Sequence, residues 1–366
     1  MTHLLLTGAT GMVGREVLVR AAADPRFTRV SCLIRPGADV SADERLEALC
    51  QRIGLRPGTK VRAVAGDVTE PGLGVDGRKI SGVTNVIHCA ATVSFNHPLD
   101  EARHINVSGT KHVLDVCRKL SKLERLDAVS TCYVAGKREG LILESDLEHD
   151  AGFHNTYEQT KYESEQLLRA AMAEIPIAVH RPSIVVGDSK TGATGAWKVL
   201  YWPLKVSANG WMPVIPYDAN GRLDIVPVDF VADGIMALSR DAGALGGTFH
   251  LAAGPSRDVT MSELFTRVFG MLHRRPPLRV PPVLFRKVFR PALMLAPSER
   301  LKRTLRSAIV YRPYMELKLQ FDTTKVDAHL GAAGVICPTV TDYFDTIVQA
   351  ALDSDFGRRP VAARAS

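Results

Sequence analysis

The octapeptide TGATGMVG, residues Thr7–Gly14, decides the fold of this chain. The apolar run Leu4–Leu6 precedes it and predicts a short buried strand, and Arg15–Ala22 follows with the apolar spacing of a helix. Strand, glycine-rich turn and helix in this order predict a site for the pyrophosphate of a dinucleotide. Glycines let the backbone approach the anion, and the first N–H groups of the helix stabilise its charge. Taken alone, the octapeptide also permits an ordinary tight turn.

Strand-like and helix-like patterns alternate along the chain up to Gly187. Helical spacing runs through Ala42–Ile53 and Arg103–Leu120, between apolar runs that have the length of strands. This alternation predicts an α/β fold, a Rossmann-type doubly wound parallel sheet with helices on both faces. Strands that are apolar on both sides fit a buried parallel sheet. The predicted strands are Leu4–Thr7, Arg29–Arg35, Val61–Asp67, Asn85–Ala91, Leu126–Thr131, Ile177–Ser183, Arg222–Phe230 and Gly247–Gly254.

The pattern divides the chain into a nucleotide-binding core and a substrate-side portion. After Gly187 the alternation stops, and Trp197, Trp202 and Trp211 occur among glycines and prolines. We expect a smaller, mostly helical portion at the C-terminus that packs over the carboxyl edge of the sheet, where open α/β sheets bind ligands. The tryptophans belong either to a substrate site or to an ordinary core. The predicted parts are a Rossmann core over 1–187 with a return over 222–254, a substrate loop region over 188–221, a C-terminal substrate-side portion over 255–356 and a disordered tail over 357–366.

Composition is typical of a soluble globular protein. Of the 366 residues 46% are hydrophobic and 23% are charged. No apolar run approaches the ~18 to 20 residues of a membrane span, and no signal-peptide pattern opens the sequence. Six cysteines show neither CxxC nor another metal-ligand spacing. We therefore expect a cytoplasmic protein with reduced thiols and no bound metal.

The net charge of +7 is concentrated between His273 and Tyr314, where basic residues alternate with Leu, Val, Phe and Met. Such a stretch predicts an anionic partner, for which coenzyme A, an acidic carrier protein and a lipid surface are the candidates. The last of these would make the protein peripheral to a membrane. A solvated basic face on ordinary helices is the alternative. We expect no nucleic acid, because no nucleic-acid-binding motif accompanies the charge.

A second motif, YEQTK, places Tyr157 and Lys161 four residues apart and therefore on one face of a helix. A phenol with a pKa near about 10 is a poor acid-base group at neutral pH. A nearby ammonium group lowers that pKa and makes proton exchange with a carbonyl oxygen feasible. The stretch VSTCYVAG ends a predicted strand upstream, where either Ser130 or Thr131 could orient the same carbonyl oxygen through its hydroxyl group.

With these motifs in this order, the chain resembles the short-chain dehydrogenase/reductase superfamily in its extended form. Within that superfamily it is most similar to the fatty acyl reductases and thioester reductase domains. Beyond about residue 260 the resemblance is loose. The matching motifs are TGATGMVG (Thr7–Gly14), GDVTEPGLG (Gly66–Gly74), VIHCAATVSF (Val86–Phe95), NVSGT (Asn106–Thr110), YEQTK (Tyr157–Lys161), RPSIVVGDSKTG (Arg181–Gly192) and IVPVDFVADGI (Ile225–Ile235).

The resemblance implies a role for particular residues. Tyr157 is the implied proton donor, and Lys161 holds the nicotinamide ribose and tunes Tyr157. Thr131 binds the carbonyl oxygen; it is preferred to Ser130 because it lies five residues before Gly136, the usual spacing in this family. The implied cofactor-binding residues are Thr7, Gly8, Thr10, Gly11, Met12, Val13, Gly14, Asp67, Val68, Ala90, Ala91, Lys161, Pro182, Ser183, Ile184 and Val185.

The cofactor choice depends on charge near the end of the second strand. NAD-binding chains usually place a carboxylate about twenty residues beyond the glycines, where it accepts hydrogen bonds from the ribose hydroxyls. This chain reads CLIRP there, with Arg35 and no carboxylate, and Arg15 adds a second guanidinium after the last glycine. Because a guanidinium binds a 2′-phosphate and a carboxylate repels it, we expect NADPH. Arg35 as a solvated strand end is the alternative.

The implied reaction is reduction of an acyl thioester, carried by coenzyme A or an acidic acyl-carrier protein, to the aldehyde and, with a second hydride, to the alcohol. An NADP-dependent aldehyde or ketone reductase and a hydroxysteroid-type dehydrogenase stay open as alternatives. A non-catalytic NADPH-binding scaffold is a further alternative, against which the intact Tyr157 and Lys161 argue. A sugar-nucleotide epimerase shares the fold, but Arg35 argues against its usual NAD.

Overall fold

The structure is a computed structural model that describes residues 2–56, 58, 60–195, 197, 200–210, 214–295, 298–299, 302, 305 and 312–359. Its strands are β1 (Thr2–Thr7), β2 (Phe27–Ile34), β3 (Val61–Ala65), β4 (Asn85–His88), β5 (Arg125–Val129), β6 (Gly140–Ile142), β7 (Ile177–Pro182), β8 (Ile184–Val186), β9 (Val214–Pro216), β10 (Arg222–Leu223), β11 (Ile225–Pro227), β12 (Thr248–Leu251), β13 (Val259–Thr260), β14 (Leu278–Val280) and β15 (Leu319–Phe321).

The α-helices are α1 (Met12–Ala23), α2 (Ala42–Arg52), α3 (Gly77–Ile80), α4 (Leu99–Arg103), α5 (Gly109–Cys117), α6 (Thr156–Ala171), α7 (Tyr201–Ala208), α8 (Val228–Leu238), α9 (Met261–Met271), α10 (Pro282–Leu284), α11 (Arg290–Met294), α12 (Thr324–Ala332) and α13 (Val340–Asp353). Two π-helical segments, His104–Ser108 and Phe285–Phe289, join α4 to α5 and α10 to α11. Short 3₁₀ segments lie at Pro71–Gly74, Cys132–Ala135, Ala242–Ala244 and Arg312–Met315.

Seven parallel strands form the central sheet in the order β3-β2-β1-β4-β5-β7-β12. Strand β1 lies between β2 and β4, with Leu6 opposite both Cys32 and Ile87. The order of the strands reverses at β1, which creates a crevice beyond the carboxyl ends of β1 and β4. The predicted α/β fold of the Rossmann type is confirmed.

Alternate residues of β1 serve two cores on opposite faces of the sheet. Leu4 and Leu6 pack into one apolar cluster with residues of α1, α2 and α8, and Leu5 packs into another with residues of α5 and α6. Because side chains alternate across a strand, a continuous apolar run fills both faces. This is why the strand predicted from Leu4–Leu6 occupies the centre of the sheet.

The predicted single strand Arg222–Phe230 is wrong. The structure has two short strands there, β10 and β11, and α8 begins at Val228. Pro227 ends the strand because it has no N–H to donate, and Asp229 favours a helix start in the first turn of α8. The other predicted strands match observed ones, with ends that differ by at most three residues.

A separate apolar core lies beyond the sheet. It contains residues of α7, α9, α13 and the segment Tyr314–Phe321, and Trp197 packs against it, while Trp202 packs on a smaller cluster around Val206. Trp211 lies outside the described residues. So does the predicted tail from residue 360 onward, and the division into a core and a substrate-side portion stays a prediction. Across the described ranges, no helix combines the length and the hydropathy that crossing a membrane demands.

Candidate active site

The glycine turn between β1 and α1 leaves no room for side chains. Gly8 has φ +75°, and a Cβ there would lie 2.5 Å from the backbone nitrogen of Ala90. A Cβ on Gly14 would lie 2.1 Å from the carbonyl oxygen of Gly8. Gly11 precedes α1 as its N-cap, and the first turn of α1, from Met12 onward, has no acidic residue. The turn therefore presents bare backbone and a helix N-terminus, which fits a dinucleotide pyrophosphate.

A cleft of about 230 Å³ opens beside this turn at the carboxyl ends of β1, β2 and β4. It brings together the predicted residues Gly8, Thr10, Gly11, Arg35, Asp67, Val68, Ala90 and Ala91. The sequence analysis missed the other lining residues, Leu33, Ile34, Arg45, Gly66, Thr69, Cys89 and Ile105.

Some predicted cofactor residues lie away from the lining of this cleft. Thr7 is buried; its hydroxyl is 2.7 Å from His88 Nδ1 and accepts a hydrogen bond from the Ala90 N–H at 3.3 Å. It thus fastens β1 to β4. Arg15 contacts Gly195, since a Cβ on that glycine would lie 2.5 Å from Arg15 Nη1. The two predicted guanidinium groups, Arg15 and Arg35, therefore do not line the same cleft.

Two arginines and one carboxylate meet at the cleft. The Arg35 side chain is 69% exposed, and its Nη1 lies 3.4 Å from Asp67 Oδ2. Arg45 on α2 donates to the backbone oxygen of Arg35, so a second guanidinium stands beside the first. The cleft mouth is therefore cationic, with Asp67 as a partial counter-charge.

The catalytic candidates converge at the carboxyl end of β5. Asn155 caps α6 by accepting a hydrogen bond from the Glu158 N–H at 3.0 Å, which places Tyr157 in the first turn. Lys161, one turn later, donates from Nζ to the Val129 carbonyl at 2.9 Å. The side chain of Thr131 lies close enough to the Tyr157 hydroxyl to act on its pKa. The residues predicted from two distant motifs therefore meet in space.

Burial governs the charge states of this pair. It raises the pKa of Tyr157 to about 12, although the nearby Thr131 side chain acts in the opposite direction. It lowers the pKa of Lys161 to about 8. The expectation that Lys161 lowers the pKa of Tyr157 is therefore not met in this structure, because desolvation of the phenolate outweighs the other effects. A neutral phenol at physiological pH suits a proton donor.

The structure separates Ser130 from Thr131. The Ser130 hydroxyl donates to Glu165 Oε2 at 2.6 Å, and Glu165 is paired with the fully buried Arg181 at 2.6 Å. Ser130 is thus held in an ion-pair network behind the site. Thr131 donates to the Pro182 carbonyl at 3.3 Å and lies beside Tyr157; its contact with a substrate stays a prediction.

An aromatic wall that the sequence analysis missed extends from Tyr157. The Phe95 ring lies 5.9 Å from that of Tyr157 and stacks on Tyr314 at 5.4 Å. The Tyr314 hydroxyl donates to Glu158 Oε1 at 2.7 Å, and Tyr133 packs edge-on against Tyr314. Burial raises the pKa of Glu158 to about 7. Glu158 could have been predicted as a site residue, because it directly follows Tyr157 in the sequence. No sequence pattern predicts such a role for Tyr314.

A narrow apolar pocket of about 50 Å³ begins at this wall. Tyr314 belongs to its lining, and so does Ile184, which had been predicted to border the nicotinamide. The remaining lining residues are Leu200, Pro203, Leu204, Ser207, Leu223, Met261, Leu264, Phe265, Val268, Met315 and Phe344. Of the other predicted residues, Pro182 and Ser183 are buried and Val185 is half-buried at the step from β7 to β8.

Comparison with known proteins places this geometry in a family. The family model described as Male sterility protein matches residues 6–235. Among curated relatives, the fatty acyl-CoA reductase wat of Drosophila melanogaster is 26% identical over 278 residues, covering 65% of this chain and 54% of the relative. The nonribosomal peptide synthetase asaC of Aspergillus flavus is 30% identical over 284 residues, covering 71% of this chain and 27% of the relative. The chain thus spans about half the length of the first relative and far less of the second.

Solved structures agree over almost the whole chain. The terminal R domain from the myxalamid PKS-NRPS pathway superposes with a TM-score of 0.82 at 25% identity, covering 98% of this chain and 92% of that one. The reductase domain of a nonribosomal peptide synthetase from Mycobacterium tuberculosis has a TM-score of 0.71 at 24% identity, which shows a shared fold. The chain belongs to the Male sterility protein family, in the branch of the extended short-chain dehydrogenase/reductase superfamily that holds the fatty acyl-CoA reductases and thioester reductase domains.

Proposed function

We propose that this chain is an NADPH-dependent reductase of acyl thioesters. The closeness of Thr131 to Tyr157 carries the proposal, because it brings two hydroxyl groups together at the carboxyl end of β5. One relative supports the thioester, since it is named a fatty acyl-CoA reductase and an acyl-CoA is a thioester. A coarser activity, NAD(P)-dependent reduction of a carbonyl group, follows from the same residues.

NADPH fits the residues present. The glycine turn and the start of α1 would hold the pyrophosphate, because the absence of Cβ atoms lets Gly8 lie against the Ala90 backbone and Gly14 against Gly8, which keeps the turn tight beside the N-terminus of α1. Arg35 and Arg45 support the 2′-phosphate, against the single carboxylate of Asp67. When bound, the nicotinamide supplies a hydride.

Thr131 and Tyr157 activate the carbonyl group. An oxygen atom between their hydroxyls accepts hydrogen bonds from both, which stabilises the negative charge that develops as the carbonyl carbon gains a hydride. Tyr157 then transfers its proton to that oxygen, since its raised pKa keeps the phenol protonated at neutral pH. Lys161, one turn further along α6 and anchored on the Val129 carbonyl, would hold the nicotinamide ribose.

A thioester gives a hemithioacetal by this route. Its C–S bond breaks, the hydroxyl proton passes to the departing thiolate, and an aldehyde and a free thiol result. A second hydride to the aldehyde would give the alcohol. The apolar pocket behind Tyr314 supports a substrate with an aliphatic chain, because all its lining residues except Ser207 and Tyr314 carry purely apolar side chains.

The test is oxidation of NADPH by purified protein with parallel measurement of free thiol. The substrates are a long-chain and a short-chain acyl-CoA, the matching free aldehydes and a few cyclic ketones. NADPH consumption with stoichiometric thiol release supports the thioester reductase. Turnover of aldehydes or ketones without thiol release from any thioester would replace it with a carbonyl reductase. A protein that binds NADPH and turns over nothing in the panel would be a scaffold.

A further inference from the structure

A helix on the substrate-side portion turns aliphatic and basic side chains to solvent. Helix α10, the π segment Phe285–Phe289 and α11 run without a break, since the joining residues Leu284, Phe289 and Arg290 all have right-handed helical backbone. The exposed side chains Val283, Leu284, Val288 and Leu295, with Arg286, Lys287 and Arg290 between them, are here called the docking face.

The aliphatic part of the docking face is unusually exposed. Val283, Leu284 and Val288 are 51%, 44% and 52% exposed, and Leu295 is 86% exposed. Single exposed apolar residues are common on proteins, but a contiguous group indicates an interaction site. Leu284 and Val288 are four residues apart, so successive turns of the helix present them together.

The charge of the docking face has a single sign. From Leu264 to Ser298 the sequence contains seven Lys or Arg residues and no Asp or Glu. Within the described part of the chain, Arg286, Lys287 and Arg290 form no ion pair. Three cations that lack acidic neighbours complement an anionic surface.

The opposite side of this helix is anchored beside the apolar pocket. Phe285 packs with Val206, Val214 and Val280, so the helix rests on α7. The same α7 contributes Pro203 and Leu204 to the lining of the apolar pocket. The docking face therefore stands on the outer side of a pocket wall.

We infer that the docking face binds the surface of an anionic lipid membrane. Aliphatic side chains would enter the boundary between headgroups and acyl chains, and the flanking Arg and Lys would bind lipid phosphates, as in helices that lie in the membrane plane. The face contains no Tyr or Trp, the residues enriched with Arg at the centres of protein interfaces, which favours lipid over an acidic carrier protein. Docking would bring α7 and the apolar pocket close to membrane-dissolved chains; this use rests on the proposed function, whereas docking itself does not.

Flotation of the full chain with vesicles tests the inference at low salt. The vesicles are pure phosphatidylcholine or its mixture with phosphatidylglycerol, and no turnover is measured, so failure of docking and failure of the reductase are separate results. We expect the protein to float with the mixed vesicles only. Arg286→Glu/Arg290→Glu should lower the bound fraction at least about tenfold, and Leu284→Asn/Val288→Asn should lower it several-fold.

A matched control reverses two exposed charges elsewhere, Lys119→Glu/Lys122→Glu, and should float as the wild type does. Circular dichroism and thermal unfolding establish that each variant is folded. A wild type that stays in the soluble fraction, or an Arg286→Glu/Arg290→Glu variant that floats undiminished, overturns the inference. Retention by an immobilised acidic acyl-carrier protein without vesicle binding would overturn it too and assign the face to a protein partner.

Discussion

The glycine turn, which forms the cofactor side of the candidate site, and the aromatic wall, which forms its substrate side, are built in different ways. The turn is local: Gly8, Gly11 and Gly14 lie within seven residues, and a single neighbouring strand end, at Ala90, completes it. The wall is long-range: the Tyr314 hydroxyl reaches Glu158 across 156 positions of sequence. Backbone geometry determines the first, and side-chain packing between distant segments determines the second. On the cofactor side, we therefore expect a few glycine positions to tolerate almost no substitution. On the substrate side, we expect substitutions at many positions to alter the site.

Tyr157 contacts the aromatic wall through Phe95 and is the proposed proton donor. Its replacement should therefore have the largest effect on activity. Tyr157→Phe removes the proton donor and keeps the ring that packs on Phe95. We expect kcat to fall by about 10²- to 10⁴-fold, the range for general acid catalysis, with NADPH affinity unchanged. Single-turnover kinetics and NADPH titration measure the two quantities. Loss of NADPH binding in step with activity would mean that Tyr157 serves the cofactor side alone.

Gly8→Ala tests whether the turn is as intolerant as its geometry indicates. A Cβ would meet the backbone of Ala90 at 2.5 Å, so the strand ends must separate. We expect the free energy of unfolding to fall by about 2–3 kcal/mol and NADPH affinity to fall at least about tenfold.

Gly54→Ala is the matched control for that substitution. Gly54 has φ +70°, close to the φ of Gly8, but a Cβ there would meet nothing within 4 Å. It should cost about 1–2 kcal/mol, from the left-handed backbone alone, and leave NADPH affinity unchanged. Equal losses of stability and equal NADPH binding in both variants would show that close approach to Ala90 does not matter.

This contrast explains what could be predicted from sequence. The strand, turn and helix around Gly8 follow from local pattern, and the four-residue spacing of Tyr157 and Lys161 follows from helix geometry. The residues alone left Ser130 and Thr131 open, and only the family spacing to Gly136 favoured Thr131. The network that holds Ser130 could not be predicted, because Glu165 and Arg181 lie on other elements. Tyr314 lies where the family resemblance is loose, and its partners are distant in the chain. The prediction of a single strand over Arg222–Phe230 was wrong for a local reason, because Pro227 has no N–H group to donate to a neighbouring strand.

Glu158→Gln tests the substrate side through pH. The pKa of Glu158 is raised from 4.5 to about 7, so the folded state binds more protons than the unfolded state between these values. This carboxyl group therefore makes the free energy of unfolding fall as pH rises through that window, by about 3 kcal/mol in total. In the Glu158→Gln variant, the free energy of unfolding should no longer show this part of its fall with pH. Urea unfolding from pH 4.5 to 7.5 measures that dependence.

Tyr314→Phe is the control for Glu158→Gln, because it removes the hydroxyl donor and keeps the titrating carboxyl group. It should retain the fall of stability with pH. Glu144, whose pKa burial also raises to about 7, contributes to the wild type and to both variants alike. Identical pH profiles for the wild type and Glu158→Gln would contradict the raised pKa of Glu158.

The smallest expected effect is on the preference for NADPH over NADH. This preference depends on Arg35, which contacts Asp67 and Arg45 from other parts of the chain. The Arg35 side chain is largely exposed, so solvent screens its attraction for a 2′-phosphate. Its ion pair with Asp67 weakens that attraction further. Arg35→Asp should weaken NADPH binding about tenfold more than NADH binding, because it adds a repelling carboxylate. Arg29→Asp, an equal charge change on the same strand outside the lining of the cleft, should not alter the ratio of the two affinities. An equal loss of affinity for both cofactors in Arg35→Asp would leave Arg45 as the remaining candidate to bind the 2′-phosphate. The preference for one cofactor would then depend on how α2 packs against β3, and not on the end of β2.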